Sequence, residues 1–451
     1  MKQSEIPYVK NSAVLFSSIA HEEWSIFLDS SYPNIDLGRY DIFSARPKTT
    51  LVTYGKETII EHKGKKELSK QDPFALVQQY LTKKSVSHRS TLPFTGGALG
   101  MFAYDLGRRV EALPEICESE IKIPDMAVGI YDWAVVVDHH QRRAWLISEF
   151  AEEETLVCWN ELCELFSDSK LQKGDGYKVN SKPHSNMTQD SYANAFSRIK
   201  DYIKEGDCYQ VNLAQRYSAE LNGDAWSVYV DLRENNPAPY SSYFKLKDST
   251  ILSSSPERFL KLQDSWVETK PIKGTKPRSI FAYEDKALAA SLLESEKDRA
   301  ENVMIVDLLR NDIGKTCETG TVNVPKLFSL ESYATVHHLV STVTGRLSNN
   351  FHALDLLRGC FPGGSITGAP KLRSMQIIEE LEPHKRHIYC GAIGYIGFNN
   401  NMDTNIAIRT MVMHEGKIYF WAGGGIVMDS ELKSEYEECL HKAAGMMKLF
   451  E

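Results

Sequence analysis

The sequence has no closely paired cysteines, no long apolar run and no excess of basic residues, and each absence excludes a class of protein. None of its eight cysteines forms a C-x-x-C pair, which argues against a zinc site or a thioredoxin-type centre. No stretch approaches the roughly 18 apolar residues of a membrane-spanning helix. The net charge of −8 argues against a nucleic-acid partner.

Several short motifs are also missing. The first residues, 1–16, lack the apolar core of a secretion signal. The chain has no H-E-x-x-H, G-x-S-x-G or P-loop motif, which excludes the common zinc proteases, serine hydrolases and P-loop enzymes. Together these absences predict a protein of the reduced cytoplasm with no membrane and no nucleic-acid partner.

The composition is that of a soluble globular protein with a large core, with 42% hydrophobic and 25% charged residues among 451. The clearest seam lies at 167–189, which is polar, contains Gly-Asp-Gly and has no apolar period. We therefore predict a linker or long surface loop there. It would separate an N-terminal region, 1–185, from a second region, 186–451.

Apolar spacing predicts the main elements. Thr188 or Asp190 can cap a helix that Gly206 ends. Further helices are expected at 297–310, 353–359, 371–381 and 431–449, and strands at 48–53, 134–138, 208–217, 242–247, 391–398, 405–414 and 417–422. The late strands follow one another without intervening helices, which favours an α+β fold over an alternating βαβ pattern.

Lys273 stands at the centre of the run Pro-Ile-Lys-Gly-Thr, residues 271–275. The proline and glycine beside it predict a rigid turn that holds the amine in place. A lysine in a partly desolvated site has a lowered pKa and can act as a nucleophile. Most lysines are solvated surface groups, so the run by itself leaves both interpretations open.

Two carboxylate pairs have the i, i+3 spacing of one helix face: Asp298 with Glu301, and Glu435 with Glu438. Two such faces brought together would form an oxygen-rich site suited to Mg²⁺, which usually takes one or two carboxylates directly. Solvated helix faces give the same spacing, so two ordinary surface pairs are the alternative.

Two glycine-rich segments are candidate ligand contacts. Residues 361–371 resemble a phosphate loop only in their glycine spacing, because Ala369 replaces the required lysine. The helix N-terminus that follows can still bind a carboxylate. Glycines in 422–427 let the backbone approach a ligand closely. Arg409, on the predicted strand upstream, can clamp a carboxylate with two hydrogen bonds.

Together these segments resemble the chorismate-utilising enzymes, a family that includes component I of anthranilate synthase and the isochorismate and salicylate synthases. The matching segments are CYQVNLAQR (208–216), SPERF (255–259), PIKGT (271–275), KDRAENVMIVDLLRND (297–312), VHHLVS (336–341), FPGGSITGAPK (361–371), GAIGYIG (391–397), MDTNIAIRT (402–410), AGGGIV (422–427) and EYEE (435–438). Residues 38–43, 94–108 and 124–139 resemble the N-terminal half of the same enzymes.

The resemblance implies an α+β fold like that of anthranilate synthase component I. Large β-sheets would be sandwiched by helices in one compact unit. It also implies that 186–451 is the chorismate-binding catalytic region, and that 1–185 is the N-terminal region with a candidate tryptophan site.

Two positions distinguish the branches of this family. Isochorismate and salicylate synthases carry a water-activating lysine where this chain has Gln210, and glutamine cannot act as a base. Anthranilate synthases typically have alanine where this chain has Lys273. The resemblance therefore implies the branch that converts chorismate and ammonia to 4-amino-4-deoxychorismate for p-aminobenzoate and folate biosynthesis. Component I of anthranilate synthase is the nearest alternative, and a non-catalytic tryptophan-binding paralogue is another.

By the same resemblance, Lys273 is the nucleophile that forms a covalent intermediate, and Glu257 is the general acid–base. Mg²⁺ is the implied cofactor. Its implied ligands are Glu301 and Glu438 directly, and Asp298 and Glu435 through water. A separate glutaminase subunit, forming a heterodimer with this chain, is implied as the source of ammonia, because the sequence has no Cys-His-Glu glutaminase signature.

The resemblance also implies the residues that contact small molecules. Those for chorismate are Tyr389, Arg409 and Gly425 at the pyruvyl carboxylate, His338 and Ser365 beside the ring, and Gly424 and Thr275 as further contacts. Those for tryptophan are Ser30, Leu37, Gly38, Arg39, Tyr40, Pro239, Tyr240 and Ser241. Whether tryptophan is bound, and whether it regulates the enzyme, stays open at this point.

Overall fold

The computed structural model of the protein describes residues 1–35, 38–82, 90–150, 152–167, 174–332 and 336–451. The strands are β1 (Lys2–Ile6), β2 (Ile26–Asp29), β3 (Tyr40–Ser44), β4 (Thr49–Tyr54), β5 (Glu57–His62), β6 (Lys65–Ser69), β7 (Gly97–Phe102), β8 (Met126–Tyr131), β9 (Ala134–Asp138), β10 (Arg143–Ser148), β11 (Tyr177–Val179), β12 (His184–Ser185), β13 (Gln210–Gly223), β14 (Tyr240–Lys245), β15 (Ser249–Ser255), β16 (Arg258–Gln263), β17 (Trp266–Thr269), β18 (Ile272–Pro277), β19 (Asn323–Ser332), β20 (Val336–Arg346), β21 (Gly368–Ala369), β22 (Ala392–Gly397), β23 (Met402–Asn405), β24 (Thr410–His414) and β25 (Lys417–Ile426).

The helices are α1 (Ala13–Phe16), α2 (Pro73–Thr82), α3 (Glu153–Val157), α4 (Trp159–Leu165), α5 (Gln189–Lys204), α6 (Ala225–Asn235), α7 (Ala282–Glu294), α8 (Glu296–Gly314), α9 (Ala353–Cys360), α10 (Lys371–Leu381) and α11 (Leu432–Met447). Short 3₁₀ helices occupy Tyr104–Arg109, Gly364–Ile366 and Lys448–Phe450. Within the described ranges, none of the helices combines the length and the apolar character that a membrane crossing requires.

Over the described residues the strands form two large sheets, which we call the first sheet and the second sheet. The first has 13 strands in the order β1-β10-β9-β3-β2-β14-β15-β24-β25-β13-β11, with β12 and β21 also paired to β13. The second has 12 strands in the order β18-β20-β17-β16-β23-β22-β7-β8-β4-β5-β6, with β19 paired to β20. Neighbouring strands run antiparallel, and helices are set apart from the strand runs, so the predicted α+β class is confirmed.

The first sheet separates two apolar cores, because alternate residues of a strand point to opposite faces. In β9, Ala134 and Val136 lie in the core that is shared with the second sheet, whereas Val135 and Val137 lie in a core on the outer face. Strands β10 and β25 follow the same alternation. The two sheets therefore face each other across one continuous core.

Helices cover the outer faces of both sheets. On the first sheet, α1, α6 and α11 contribute Phe16, Trp226 and Met446 to the outer core. On the second sheet, α8 contacts β20 and α2 contacts β8. Two facing sheets sandwiched by helices are what the family resemblance implied.

Both sheets combine strands from either side of the predicted division at 185/186. In the first sheet, β2 pairs with β14, and in the second sheet, β7 pairs with β22. The division into 1–185 and 186–451 stays a prediction. What the structure adds is that the two regions share both sheets.

The segment 167–189 is not entirely the linker or loop that its polarity predicted. In its described part, β11 and β12 pair with β13. In β11, Tyr177 and Val179 are half-buried against the outer core and Lys178 is exposed, and the two residues of β12 are half-buried or exposed. The hydroxyl of Thr188 then accepts a hydrogen bond from the backbone amide of Ser191 and caps α5, as predicted.

The outer core of the first sheet allows a direct stability test. Trp226 is 1% exposed and stacks on Tyr229 with ring centroids 5.6 Å apart. We expect Trp226→Ala to lower the free energy of unfolding by about 3–5 kcal/mol, because it removes a large buried ring and leaves a cavity. Urea denaturation measures this change.

The matched control is Trp266→Ala, since Trp266 is 58% exposed on β17. Its expected effect is within about 0.5 kcal/mol. Equal losses for the two variants would contradict the placement of the outer core.

Candidate active site

Lys273 lies in β18 and not in the turn that the sequence predicted. The pairing of β18 with β20 shifts register between Ile272 and Thr275, so a bulge includes Lys273 and Gly274. Gly274 has a φ of 83°, and a Cβ at this position would lie 2.8 Å from Cγ of Asp298. The bulge therefore requires glycine, and it directs the Lys273 side chain to a fixed partner.

That partner belongs to the glycine-rich segment. Lys273 Nζ donates a hydrogen bond of 3.0 Å to the backbone oxygen of Ser365. Burial lowers the pKa of Lys273 below its ordinary value, although the carboxylates of Glu301 and Glu257 act to raise it. The amine is therefore held in place and has a larger neutral fraction than a surface lysine.

Glu257 lies between β15 and β16 and is only 6% exposed. Burial raises the pKa of this carboxyl, although the charge of Lys273 acts to lower it. Hydrogen bonds with the Ser365 side chain and the Ile272 backbone also favour the charged form. A poised amine and a poised carboxyl therefore meet around Ser365, an arrangement suited to nucleophilic attack with proton transfer.

The four predicted metal ligands lie on α8 and α11. Glu435 Oε1 accepts hydrogen bonds from Lys297 Nζ at 3.1 Å and from Ser430 Oγ at 2.6 Å. Glu438 Oε1 pairs with Lys442 Nζ at 2.6 Å. The Lys297 contact joins α8 to α11, so the two predicted helix faces do approach each other.

Glycine is what allows α11 to approach β25. A Cβ at Gly424 would lie 3.3 Å from Glu435 Oε2 and 3.6 Å from Glu438 Oε1. The first of these separations is tighter than most side-chain contacts. Gly424 therefore lies beside Glu435 and Glu438 on α11. The resemblance implied Gly424 itself as a contact for the substrate.

The four predicted metal ligands fit a divalent cation through the chemistry of their donor atoms. Across the described residues, no three Asp, Glu, His or Cys side chains stand close enough to form a preassembled metal group. All four predicted ligands are carboxylates, which suits Mg²⁺. Lys297 and Lys442 place ammonium groups on two of them. Glu301 is half-buried and forms no hydrogen bond or ion pair with another described residue, and burial raises its pKa.

Arg409 does not lie on a strand, because the predicted strand 405–414 is split into β23 and β24. Arg409 falls between them with a φ of 49°, so the backbone turns there. Among the described residues, nothing forms a hydrogen bond or an ion pair with its guanidinium. Burial alone lowers its pKa. A half-buried guanidinium without an acidic partner is suited to bind an anionic ligand.

His338 is buried on β20 close to this guanidinium. Its Nδ1 shares a hydrogen bond of 2.8 Å with Thr275 Oγ1. Burial, helped by the charge of Arg409, lowers the pKa of His338 to about 4. The ring is therefore neutral at physiological pH and adds no charge to the site.

The predicted contacts on β25 and beside it also lie together. The sequence predicted a strand that ends at residue 422, before the glycines. In the structure, β25 continues through them to Ile426. A Cβ at Gly425 would lie 1.9 Å from Gln210 Nε2, so these two residues touch. Tyr389 is buried, and its ring lies parallel to that of Trp421 at 6.2 Å.

Sequence reasoning missed several residues of the site. Lys297 directly precedes Asp298 in the chain. Lys442 follows Glu438 by four residues, so helical spacing alone could have predicted that Lys442 contacts Glu438. Asn212 and Arg386, which both donate hydrogen bonds of 3.0 Å to the backbone oxygen of Ile366 next to Ser365, carry no such signal. Their contribution is visible only in the folded structure, where β13 lies against the glycine-rich segment 361–371.

The predicted tryptophan contacts lie elsewhere, around a cavity of about 640 Å³. The contacts that line it are Ser30, Gly38, Arg39, Tyr40, Pro239, Tyr240 and Ser241. Leu37 lies outside the described residues. The cavity also includes Arg258, which directly follows Glu257 in the chain. Its volume is in the range of small-molecule sites.

Known proteins resemble this chain over nearly its full length. The family described as chorismate binding enzymes matches residues 28–448. Component 1 of aminodeoxychorismate synthase from Escherichia coli (strain K12) is 47% identical over 438 residues, which cover 97% of this chain and 95% of that protein. Component 1 of anthranilate synthase from Acetivibrio thermocellus is 35% identical, with 97% and 92% covered.

A solved structure agrees with these matches. Anthranilate synthase component I from Streptococcus pneumoniae TIGR4 has a TM-score of 0.81 and 34% identity over 91% of this chain and 92% of that chain. The fold that the motifs implied is confirmed, as is the resemblance to component 1 of aminodeoxychorismate synthases. The chain belongs to the family of chorismate binding enzymes.

Proposed function

We propose that this protein converts chorismate and ammonia to 4-amino-4-deoxychorismate, as the names of its 44–47% identical relatives suggest. The observation that carries the proposal is the position of Lys273, which lies in the bulge of β18 and whose amine interacts with the charges of Glu301 and Glu257. A neutral, fixed amine is what a covalent route requires. The product would serve p-aminobenzoate and folate biosynthesis in the cytoplasm.

In the first step, the neutral amine of Lys273 forms a bond to C2 of the chorismate ring. The two conjugated ring double bonds, C1=C2 and C5=C6, shift to C1=C6 and C4=C5, and the C4–O bond breaks. Glu257, whose protonated form burial favours by raising its pKa, gives a proton to the departing hydroxyl, which leaves as water. The products are a lysine adduct with a positively charged nitrogen and a Glu257 carboxylate.

In the second step, ammonia forms a bond to C4 and both double bonds shift back to C5=C6 and C1=C2. The C2–N bond breaks and its electron pair returns to Lys273, which leaves as a neutral amine. The new ammonium group at C4 gives a proton to the Glu257 carboxylate. Both side chains thus return to their starting protonation states, and the sum is chorismate plus ammonia to product plus water.

Positioning of the substrate falls to the groups around this pair. Arg409 would hold the pyruvyl carboxylate, since its guanidinium has no acidic partner among the described residues and burial makes charge pairing favourable. Tyr389 and Gly425 would complete this contact, and His338, Ser365, Thr275 and Gly424 would border the ring. A neutral His338 leaves the charge of Arg409 to the substrate.

Mg²⁺ would be held by Glu301 and Glu438 directly, with Asp298 and Glu435 acting through water. Bound there, it would neutralise and anchor the ring carboxylate. Ammonia would come from a glutaminase subunit in a heterodimer with this chain. Component numbering in the relatives' names supports a partner.

The function is tested by trapping the covalent intermediate. With chorismate and Mg²⁺ but no ammonia, we expect wild-type protein to gain the mass of chorismate minus water. Lys273→Ala should give no adduct, because it removes the nucleophile. Glu257→Gln should slow adduct formation by about 10²–10⁴-fold, because it removes the proton donor. Intact-mass spectrometry measures both.

The matched control is Lys270→Ala, because Lys270 pairs with Glu331 and is not part of this cluster. It should form the adduct like wild type. Absence of an adduct in wild type would sink the covalent route. Direct release of anthranilate after addition of ammonium would instead favour the anthranilate synthase reaction, and no turnover at all would favour a non-catalytic paralogue.

Removal of divalent cations tests the metal proposal. Dialysis against EDTA should abolish product formation, and Mg²⁺ should restore it. We expect Glu301→Gln to raise the Mg²⁺ concentration for half-maximal rate by at least about tenfold. Glu437→Gln is the control, because Glu437 is exposed and pairs with Lys433 on the same helix. A rate that is insensitive to EDTA would refute the role of the metal.

We also propose that the 640 Å³ cavity binds L-tryptophan. The hydroxyl of Ser30 donates a hydrogen bond of 2.7 Å to Asp41, which fixes its lone pairs for a ligand amine. Ser30→Ala should weaken binding about tenfold in a calorimetric titration. Ser69→Ala, on β6 outside the cavity, should bind like wild type. No heat with wild type would show that tryptophan is not a ligand.

A further inference from the structure

Two lysines pair with two of the carboxylates that Mg²⁺ would use. Lys297 Nζ, on α8, lies 3.1 Å from Glu435 Oε1, and Lys442 Nζ, on α11, lies 2.6 Å from Glu438 Oε1. The proposed reaction assigns no role to either lysine. A divalent cation that binds these carboxylates shares them with two ammonium groups.

The ammonium group of Lys442 is held at the border of the site by two elements. Besides its contact with Glu438 on α11, its Nζ donates a hydrogen bond of 3.0 Å to the backbone oxygen of Gly423 on β25. A Cβ at Gly424, the next residue of that strand, would lie 3.7 Å from the same Nζ. The charge therefore has a fixed place beside the acidic group.

The lysines and the carboxylates act on each other across the two helices. Burial acts to raise the pKa of Glu438, but the charge of Lys442 and then that of Lys297 lower it below its ordinary value. Burial acts to lower the pKa of Lys297, but the charges of Glu435 and Glu301 raise it. The group therefore behaves as one electrostatic unit in which both lysines are charged.

The charge of this unit bears on the binding of both ligands. Asp298, Glu301, Glu435 and Glu438 bring four carboxylates, and the two ammonium groups offset half of their charge. One Mg²⁺ balances the other half, so a substrate with two carboxylates meets a group that does not repel it. Without the lysines, the carboxylates would attract Mg²⁺ more strongly, and two uncompensated negative charges would face the substrate.

We propose that Lys297 and Lys442 are internal counter-cations of the metal site, which weaken the binding of Mg²⁺ to the protein alone and allow the Mg²⁺-loaded site to accept an anionic substrate. This inference rests on the proposed function. Chorismate brings the negative charge that the lysines have offset, so chorismate and Mg²⁺ strengthen each other's binding. The two lysines thereby couple the metal to the substrate.

The test measures the binding of metal and of substrate separately. Lys442→Met and Lys297→Met keep an unbranched side chain and remove the charge. Calorimetric titration of the full chain with MgCl₂, without chorismate, gives Kd for Mg²⁺, and rates at saturating Mg²⁺ and ammonium give KM for chorismate. We expect each variant to lower Kd for Mg²⁺ and to raise KM for chorismate, both by at least about fivefold.

Lys433→Met is the matched control, because Lys433 lies on the same helix and pairs with Glu437 at the surface. It removes the same charge from an exposed position, where salt screens it, so both constants should stay within about twofold of wild type. Lys442→Arg keeps the charge and should also bind Mg²⁺ like wild type. If Lys442→Met fails to fold, Lys297→Met decides the question.

An unchanged or higher Kd for Mg²⁺ in a folded methionine variant would overturn the inference, since the lysines would then not oppose the metal. A lower Kd for Mg²⁺ with an unchanged KM for chorismate would also overturn it, because the coupling to the substrate would be missing. A wild-type rate that is insensitive to EDTA would be a failure of the proposed metal site itself, which the dialysis experiment identifies separately.

Discussion

The site depends on one buried ion pair, between Arg386 and Glu382. Arg386 Nε donates 2.9 Å to Glu382 Oε2, and Nη2 donates 2.6 Å to Oε1. Two further donors of Arg386 reach the backbone oxygens of Ile366 and Asn212, and Glu382 also accepts from the backbone amide of Ala214. A buried pair is tolerable only when such bonds satisfy it, and here every nitrogen of the guanidinium donates at least one hydrogen bond.

Through these bonds one guanidinium joins β13 to the glycine-rich segment. The backbone oxygen of Ser365, which receives the Lys273 amine, is one residue from the Ile366 oxygen that Arg386 holds. The charge pair therefore helps to position the amine, because both contact the same short segment. This links the second sheet, which carries Lys273, to the first sheet, which carries Asn212.

Much of this could be read from the sequence, and the rest could not, for physical reasons. Helix α10 was placed at 371–381, as observed, because its apolar period is regular and Pro370 precedes it. Lys273 and Glu257 were found by resemblance. The shifts in their pKa values could not be predicted, because a pKa depends on which groups lie nearby after folding. The split of 405–414 at Arg409 was missed, since a positive φ at arginine leaves no trace in an apolar pattern.

The pairing of β2 with β14 and of β7 with β22 has a consequence for synthesis of the chain. Strands made from the first 148 residues have open edges at β2 and β7, and their partners begin only at Tyr240 and Ala392. Until those residues leave the ribosome, both sheets are half-built, with unpaired backbone groups exposed along a rim. The nascent chain is therefore prone to aggregation during much of its synthesis. We expect chaperones to protect it during that time.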